Sequence, residues 1–132
     1  FYEKNNVKSV GVEELIKKSD VVTLHLPLDD STRNIMNEER LQMLKSSAVF
    51  INLARGGLLD ETALKKMLLE KKIAGAALDV FEIEPPIDKE LLTLDNVLIT
   101  PHIGGSTEEA ILAMGLAAID GLDNAKDPLE FK

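Results

Sequence analysis

Three short stretches carry residue types that could handle a small organic acid. In Phe50-Ile-Asn-Leu-Ala-Arg-Gly-Gly-Leu-Leu-Asp60 an apolar run gives way to Asn52, then Arg55, then Gly56-Gly57, then an Asp that opens a helical pattern. A buried strand would thus deliver a guanidinium to its C-terminal end, and the glycine pair lets the backbone turn sharply beyond it. An Arg there can grip a planar carboxylate with two parallel hydrogen bonds, or can equally pair with an Asp or Glu across a loop. His102 follows Thr100-Pro101 and precedes Gly104-Gly105 and a helix start, a loop from which an imidazole can reach a ligand and move a proton near neutral pH. Glu84, held extended by Pro85, could stabilise the imidazolium and raise its pKa. Glu82 is a rival for that role, and either residue could simply be solvated. Asp79 ends another apolar run and could cap a turn or face a bound amide. Gly104-Gly105 ahead of a helix is a sign, shared with many ordinary turns, of an anion or dinucleotide nearby. The other histidine, His25, lies inside an apolar run and reads as a hydrogen-bonded core residue.

These residues need elements to hold them. The sequence predicts strands at 21–26, 48–52, 76–80 and 97–100, each a run of β-branched, apolar or small residues of the kind buried on both faces of a sheet. Between them run helical patterns: Gly11 to Lys18; a short one after Asn37 as N-cap; Glu61 to Glu70, capped by Asp60; one turn at 90–94; and Thr107 to Asn124, opened by the capping box Ser106-Thr-Glu-Glu109. Ala110, Ile111, Met114, Ala118 and Leu122 form the apolar side of that last helix, expected in the core. Alternating strands and helices with short links predict an α/β fold, a parallel sheet with helices on both faces. All strand C-termini then point one way. His25 to Pro27, Asn52 to Arg55, Asp79 to Glu84 and His102 to Gly105 would meet on one rim, where ligands bind in such sheets.

Composition narrows the function classes. With 132 residues the chain can form one modest domain. It carries 23 acidic and 15 basic residues, a net charge of −8, which argues against nucleic acid and anionic membrane as partners. The absence of Cys removes disulfides, thiolate catalysis and cysteine metal sites, and fits a cytoplasmic setting. Two widely separated histidines suggest no metal site. No Ser sits in a nucleophile elbow, and the G-x-G-x-x-G dinucleotide fingerprint is absent. A chain that opens on Phe rather than Met reads as a piece of something longer.

On these residues the chain resembles the D-isomer-specific 2-hydroxyacid dehydrogenases. The matching motifs are Ser19-Asp-Val-Val-Thr-Leu-His-Leu-Pro-Leu28, Ile51-Asn-Leu-Ala-Arg-Gly-Gly57, Gly75-Ala-Ala-Leu-Asp-Val-Phe-Glu-Ile-Glu-Pro85 and Thr100-Pro-His-Ile-Gly-Gly-Ser-Thr-Glu-Glu-Ala110. They fall in the family's order and cover nearly the whole chain, with a lean toward the phosphoglycerate dehydrogenase branch from the Gly104 to Thr107 loop. The resemblance implies a doubly wound, Rossmann-type NAD(P)-binding domain over 1–132, incomplete because its first βαβ unit with the glycine fingerprint is missing, and a substrate-binding domain that is absent. It implies that Arg55 binds the substrate carboxylate and carbonyl, that His102 is the general acid/base, and that Glu84, rather than Glu82, orients His102 and holds its pKa up. It implies that Pro27, Leu53, Ala54, Asp79 and Gly104 lie along NAD, with NADP not excluded, and that Asp79 meets the carboxamide. The implied substrate is a small 2-hydroxy or 2-oxo acid, the implied assembly a homodimer. Without the missing parts, the chain alone is expected to show little or no turnover. The competing expectation is a truncated, non-catalytic module of the same fold that binds a nucleotide or another protein.

Overall fold

A computed structural model describes residues 3–125. The chain divides into two compact units, Phe1–Pro101 and His102–Lys132. The first holds α1 (Val12–Lys18), β1 (Val21–Leu24), α2 (Glu38–Leu41), β2 (Val49–Asn52), α3 (Glu61–Leu69), β3 (Gly75–Leu78) and β4 (Val97–Ile99), with single 3₁₀ turns at Glu3–Asn5, Gly56–Leu58 and Leu91–Thr93. The second holds α4 (Glu108–Asp123).

The four strands form one parallel sheet in the order β1-β2-β3-β4, so the expected α/β architecture is what folds. Register places Val22 beside Phe50 beside Ala76, and Leu24 beside Asn52 beside Leu78. Side chains alternate across a sheet, so these six share one face, and all six are buried. Leu41, Leu58, Leu64, Leu68 and Ile73 join the same core. Phe50 is its largest fully buried side chain, and truncating it to Ala would cost about 3–5 kcal/mol.

The other face differs from expectation. Val21 is 55% exposed and Leu98 67% exposed, so the outer strands are not buried on both sides. Apolar composition signals a sheet meant to be covered twice, and within the first unit the described residues cover it once. β1 also stops at Leu24, two residues short of its expected end, which leaves His25 exposed beyond the strand rather than in the core.

Capping follows the sequence closely at two helices. The Asn37 side chain accepts from the Arg40 amide, and that of Asp60 from the Ala63 amide. At α4 the cap is one residue later than predicted. Thr107, not Ser106, accepts from the Ala110 amide, which moves Glu109 out of the reciprocal position a capping box requires. The Glu109 carboxylate instead bonds its own backbone amide and the Thr107 hydroxyl, which lowers its pKa. The predicted burial of the apolar side of α4 is not found. Ile111, Met114 and Leu122 are all more than half exposed, and no residue of the helix is buried.

Candidate active site

The Arg55 turn is built by Asn52. This residue ends β2 fully buried, at 0% exposure. Its side-chain amide donates to the Arg55 carbonyl at 3.0 Å, and its side-chain oxygen accepts the Ala54 amide at 3.1 Å. A buried amide side chain that satisfies two backbone groups fixes the path of the residues between them. Leu53, Ala54 and Arg55 are thereby held at the C-terminal end of the sheet. The Arg55 side chain is exposed and donates to the Ala54 carbonyl at 2.6 Å, leaving most of its fork of donors directed elsewhere. Among the described residues no carboxylate forms an ion pair with it.

The backbone does turn sharply here, in the 3₁₀ turn Gly56–Leu58, but Gly56 has a negative φ, so the turn itself does not require glycine's left-handed freedom. A Cβ at Gly56 would lie 1.9 Å from the Phe81 carbonyl carbon and 2.3 Å from the Glu82 amide nitrogen. The glycine is there so that two backbones can touch. The Arg55 turn is pressed against the loop that leaves β3 and carries Glu84. In that loop the Phe81 amide donates to the Glu84 carboxylate at 3.0 Å, and Glu84 itself is exposed. The Glu82 amide donates to Glu61, on the first turn of α3, at 2.5 Å. Burial, together with the neighbouring carboxylates of Glu82, Asp88 and Glu84, raises the Glu61 pKa against the lowering effect of that hydrogen bond.

Asp79 sits just past β3 at 2% exposure and accepts the Thr100 hydroxyl at 2.5 Å, while its amide donates to the Asn52 carbonyl. Asn52 thus touches both the Arg55 turn and the start of the Glu84 loop. An open cleft of about 700 Å³ lies along Pro27, Leu28, Leu53, Ala54 and Arg55, with His25 at its edge. The His25 ring is 3.1 Å from the Thr23 hydroxyl. The first unit therefore brings together Arg55, Glu84, Pro27, Leu53, Ala54 and Asp79 on one end of the sheet.

His102 and Gly104 belong to the second unit, ahead of α4. His102 adopts φ +54°, a left-handed conformation that costs a β-carbon residue on the order of 1 kcal/mol or more. The other described residues with positive φ are Asn6, Asn34 and Lys71. Asn tolerates the conformation, and Lys71 takes it where α3 ends, as helix termini commonly do. His, like Asn, is among the residue types enriched in this conformation.

Sequence reasoning placed Asn52 on the rim without giving it a role, and passed over Glu61. Asn52 carried a signal, a polar residue closing an apolar strand. Glu61 carried none, because its partner lies 21 residues away. Among the described residues no group of three or more His, Asp or Glu could hold a metal, and no helix is long and apolar enough to cross a membrane.

Comparison with known proteins gives the family. Residues 2–104 match the family model of the D-isomer specific 2-hydroxyacid dehydrogenase, NAD binding domain. The chain belongs to this family. It is 52% identical over 121 residues to a D-3-phosphoglycerate dehydrogenase of Methanocaldococcus jannaschii, covering 87% of this chain and 23% of that protein. A glyoxylate reductase from Paecilomyes thermophila superposes with a TM-score of 0.88 at 39% identity, covering 92% of this chain and 37% of that one. An NAD-complexed D-isomer specific 2-hydroxyacid dehydrogenase from Lactobacillus delbrueckii ssp. bulgaricus superposes with a TM-score of 0.78 at 32% identity, over 95% of this chain and 43% of that one. The chain spans between 22% and 38% of the length of three curated relatives it matches.

Proposed function

We propose that the whole protein to which this chain belongs interconverts a D-2-hydroxy acid and a 2-oxo acid, using NAD or, less in keeping with the family's description, NADP. The observation that carries this reading is the backbone contact at Gly56. It holds a cation with no carboxylate partner among the described residues, Arg55, at a fixed relation to the loop of Glu84, in a chain of the dehydrogenase family. Arg55 binds the substrate carboxylate through paired hydrogen bonds and polarises the carbonyl. His102, as imidazolium, donates its proton to the carbonyl oxygen during reduction and takes the hydroxyl proton during oxidation. Glu84 orients that imidazole as its carboxylate partner.

The open cleft fits the nicotinamide end of the cofactor, with apolar walls from Pro27, Leu53 and Ala54 and a cation at its rim. Asp79 would meet the carboxamide, and Gly104 is a further cofactor-binding position on this reading. When bound there, the reduced cofactor supplies the hydride. The substrate is a small acid of the kind that a single Arg can hold, the assembly a homodimer, and the setting cytoplasmic.

The test is NADH oxidation with hydroxypyruvate, glyoxylate and pyruvate. The whole protein should turn over at least one of them at an ordinary enzymatic rate, on the order of 1 per second or more, and the 132-residue chain alone should fall far below it. Activity that is absent from the whole protein with all three, or undiminished in Arg55→Gln, overturns the reading.

A further inference from the structure

We propose that Glu61 is a positioning residue for Glu84: its carboxylate, gripping the Glu82 amide across a backbone contact that only glycine at 56 permits, fixes the Glu84 loop against the Arg55 turn. The proposal rests on the roles of Arg55 and Glu84 proposed above.

Three contacts close a ring. Asp60 caps α3 and Glu61 begins it, separated from the Arg55-Gly56-Gly57 turn only by Leu58 and Leu59. Gly56 packs on the Phe81 carbonyl and the Glu82 amide nitrogen. Glu61 reaches from the helix to that same Glu82 amide at 2.5 Å. Inside the loop, the preceding amide, that of Phe81, donates to Glu84 at 3.0 Å. Two successive amides thus go to two carboxylates, one holding the loop to α3 and one folding Glu84 back on its own loop. Neither the Arg55 turn nor the Glu84 loop can shift without breaking one of these contacts. A half-buried Glu beside other carboxylates is costly to keep, yet its charge is spent on a backbone N–H rather than on a cation. Lys65, one turn further along α3, is committed to Asp88 at 2.7 Å and Glu90 at 3.2 Å. The charged groups around Glu61 are therefore Glu82, Glu84 and Asp88, with Lys65 bound to the last.

The grip needs an acceptor oxygen at this place, which a carboxylate supplies and a side-chain amide also can. Misplacing a catalytic group by about 1 Å can cost on the order of a hundredfold in rate. The geometry that matters is that of Glu84, which orients His102 on the proposed mechanism.

Two measurements test this. The first reads the grip without reference to activity. Amide exchange at Glu82 in the chain should quicken by roughly tenfold or more in Glu61→Met, which removes the acceptor at similar volume, and stay near wild type in Glu61→Gln, which keeps one. Unchanged exchange in Glu61→Met overturns the proposal and leaves the role of Glu84 standing. Should that variant fail to fold, Glu61→Ala is read the same way, and failure of both while Glu61→Gln folds with wild-type exchange supports the grip. The second measurement splits kcat from KM for 2-oxo acid reduction by the whole protein. Glu84→Gln should lower kcat by roughly tenfold or more with KM little changed. Glu61→Met should lower kcat in the same way, and Glu61→Gln should restore it. A kcat unmoved by Glu61→Met but lowered by Glu84→Gln confines Glu61 to stability and overturns the proposal. A kcat unmoved by Glu84→Gln removes the role of Glu84, and the proposal with it.

Discussion

Replacing Gly56 with Ala is the sharpest perturbation this molecule offers. The added methyl would sit 1.9 Å from the Phe81 carbonyl carbon, 2.1 Å from its oxygen and 2.3 Å from the Glu82 nitrogen. Ordinary contact begins near 3.4 Å, so one of the two backbones must retreat by roughly 1.5 Å. All three atoms are main chain, and no side chain can swing aside to relieve the clash. Overpacking typically costs 1–3 kcal/mol, and a backbone-on-backbone clash belongs at the top of that range, about 3 kcal/mol. Gly57 is the internal control. A methyl there meets only the ends of Leu28 and Arg33, at 3.0 and 3.3 Å, and flexible side chains can give way. Its cost should stay under about 1 kcal/mol. Urea unfolding of the two variants gives the comparison directly, with the midpoint falling strongly for Gly56→Ala and little for Gly57→Ala at unchanged slope. A Gly56→Ala variant as stable as Gly57→Ala would refute the close approach and the coupling of the two loops built on it.

Two further outcomes follow from the same region. Asn52→Ala strands the Ala54 amide and the Arg55 carbonyl without their buried partner, so it should lower stability by about 2–4 kcal/mol and, in the whole protein, raise the KM for the 2-oxo acid. Glu61→Gln should stabilise the chain at pH 7 because it removes a charge that burial disfavours. The native carboxylate has a raised pKa, so its penalty is fully present above that pKa and is relieved as pH falls toward the ordinary glutamate range. The advantage of the variant in urea midpoint should therefore shrink between neutral pH and about pH 4. An advantage that grows on acidification contradicts the assignment.

Much of this was legible from residue order alone, and the parts that were not share a cause. Local signals read well. Asn37 and Asp60 each announce a helix start by side-chain chemistry that acts within three residues. The apolar runs gave the four strands because a parallel sheet asks for continuous hydrophobicity. Arg55, Glu84, Asp79 and His102 stood out because a charged or titratable group follows directly on an apolar run or a Pro. Long-range facts did not show. The reason Gly56 must be glycine is the Phe81 backbone, a segment brought close only by the β2–β3 pairing. Glu61 looked like a first-turn helix carboxylate and nothing more, since its partner amide is set by the tertiary fold. His25 was misjudged because composition cannot say that β1 ends at Leu24. The apolar side of α4 was assigned to the core on pattern alone, and pattern shows that a face is apolar without showing what covers it.

The central claim is that His102 is the acid/base of a hydride-transfer enzyme whose other groups are Arg55 and Glu84. It is tested most directly by His102→Asn in the whole protein, with turnover of the preferred 2-oxo acid and NADH affinity measured side by side. The account predicts that turnover falls by about 10²–10⁴-fold while the NADH dissociation constant changes little. Turnover within a few-fold of wild type would contradict it.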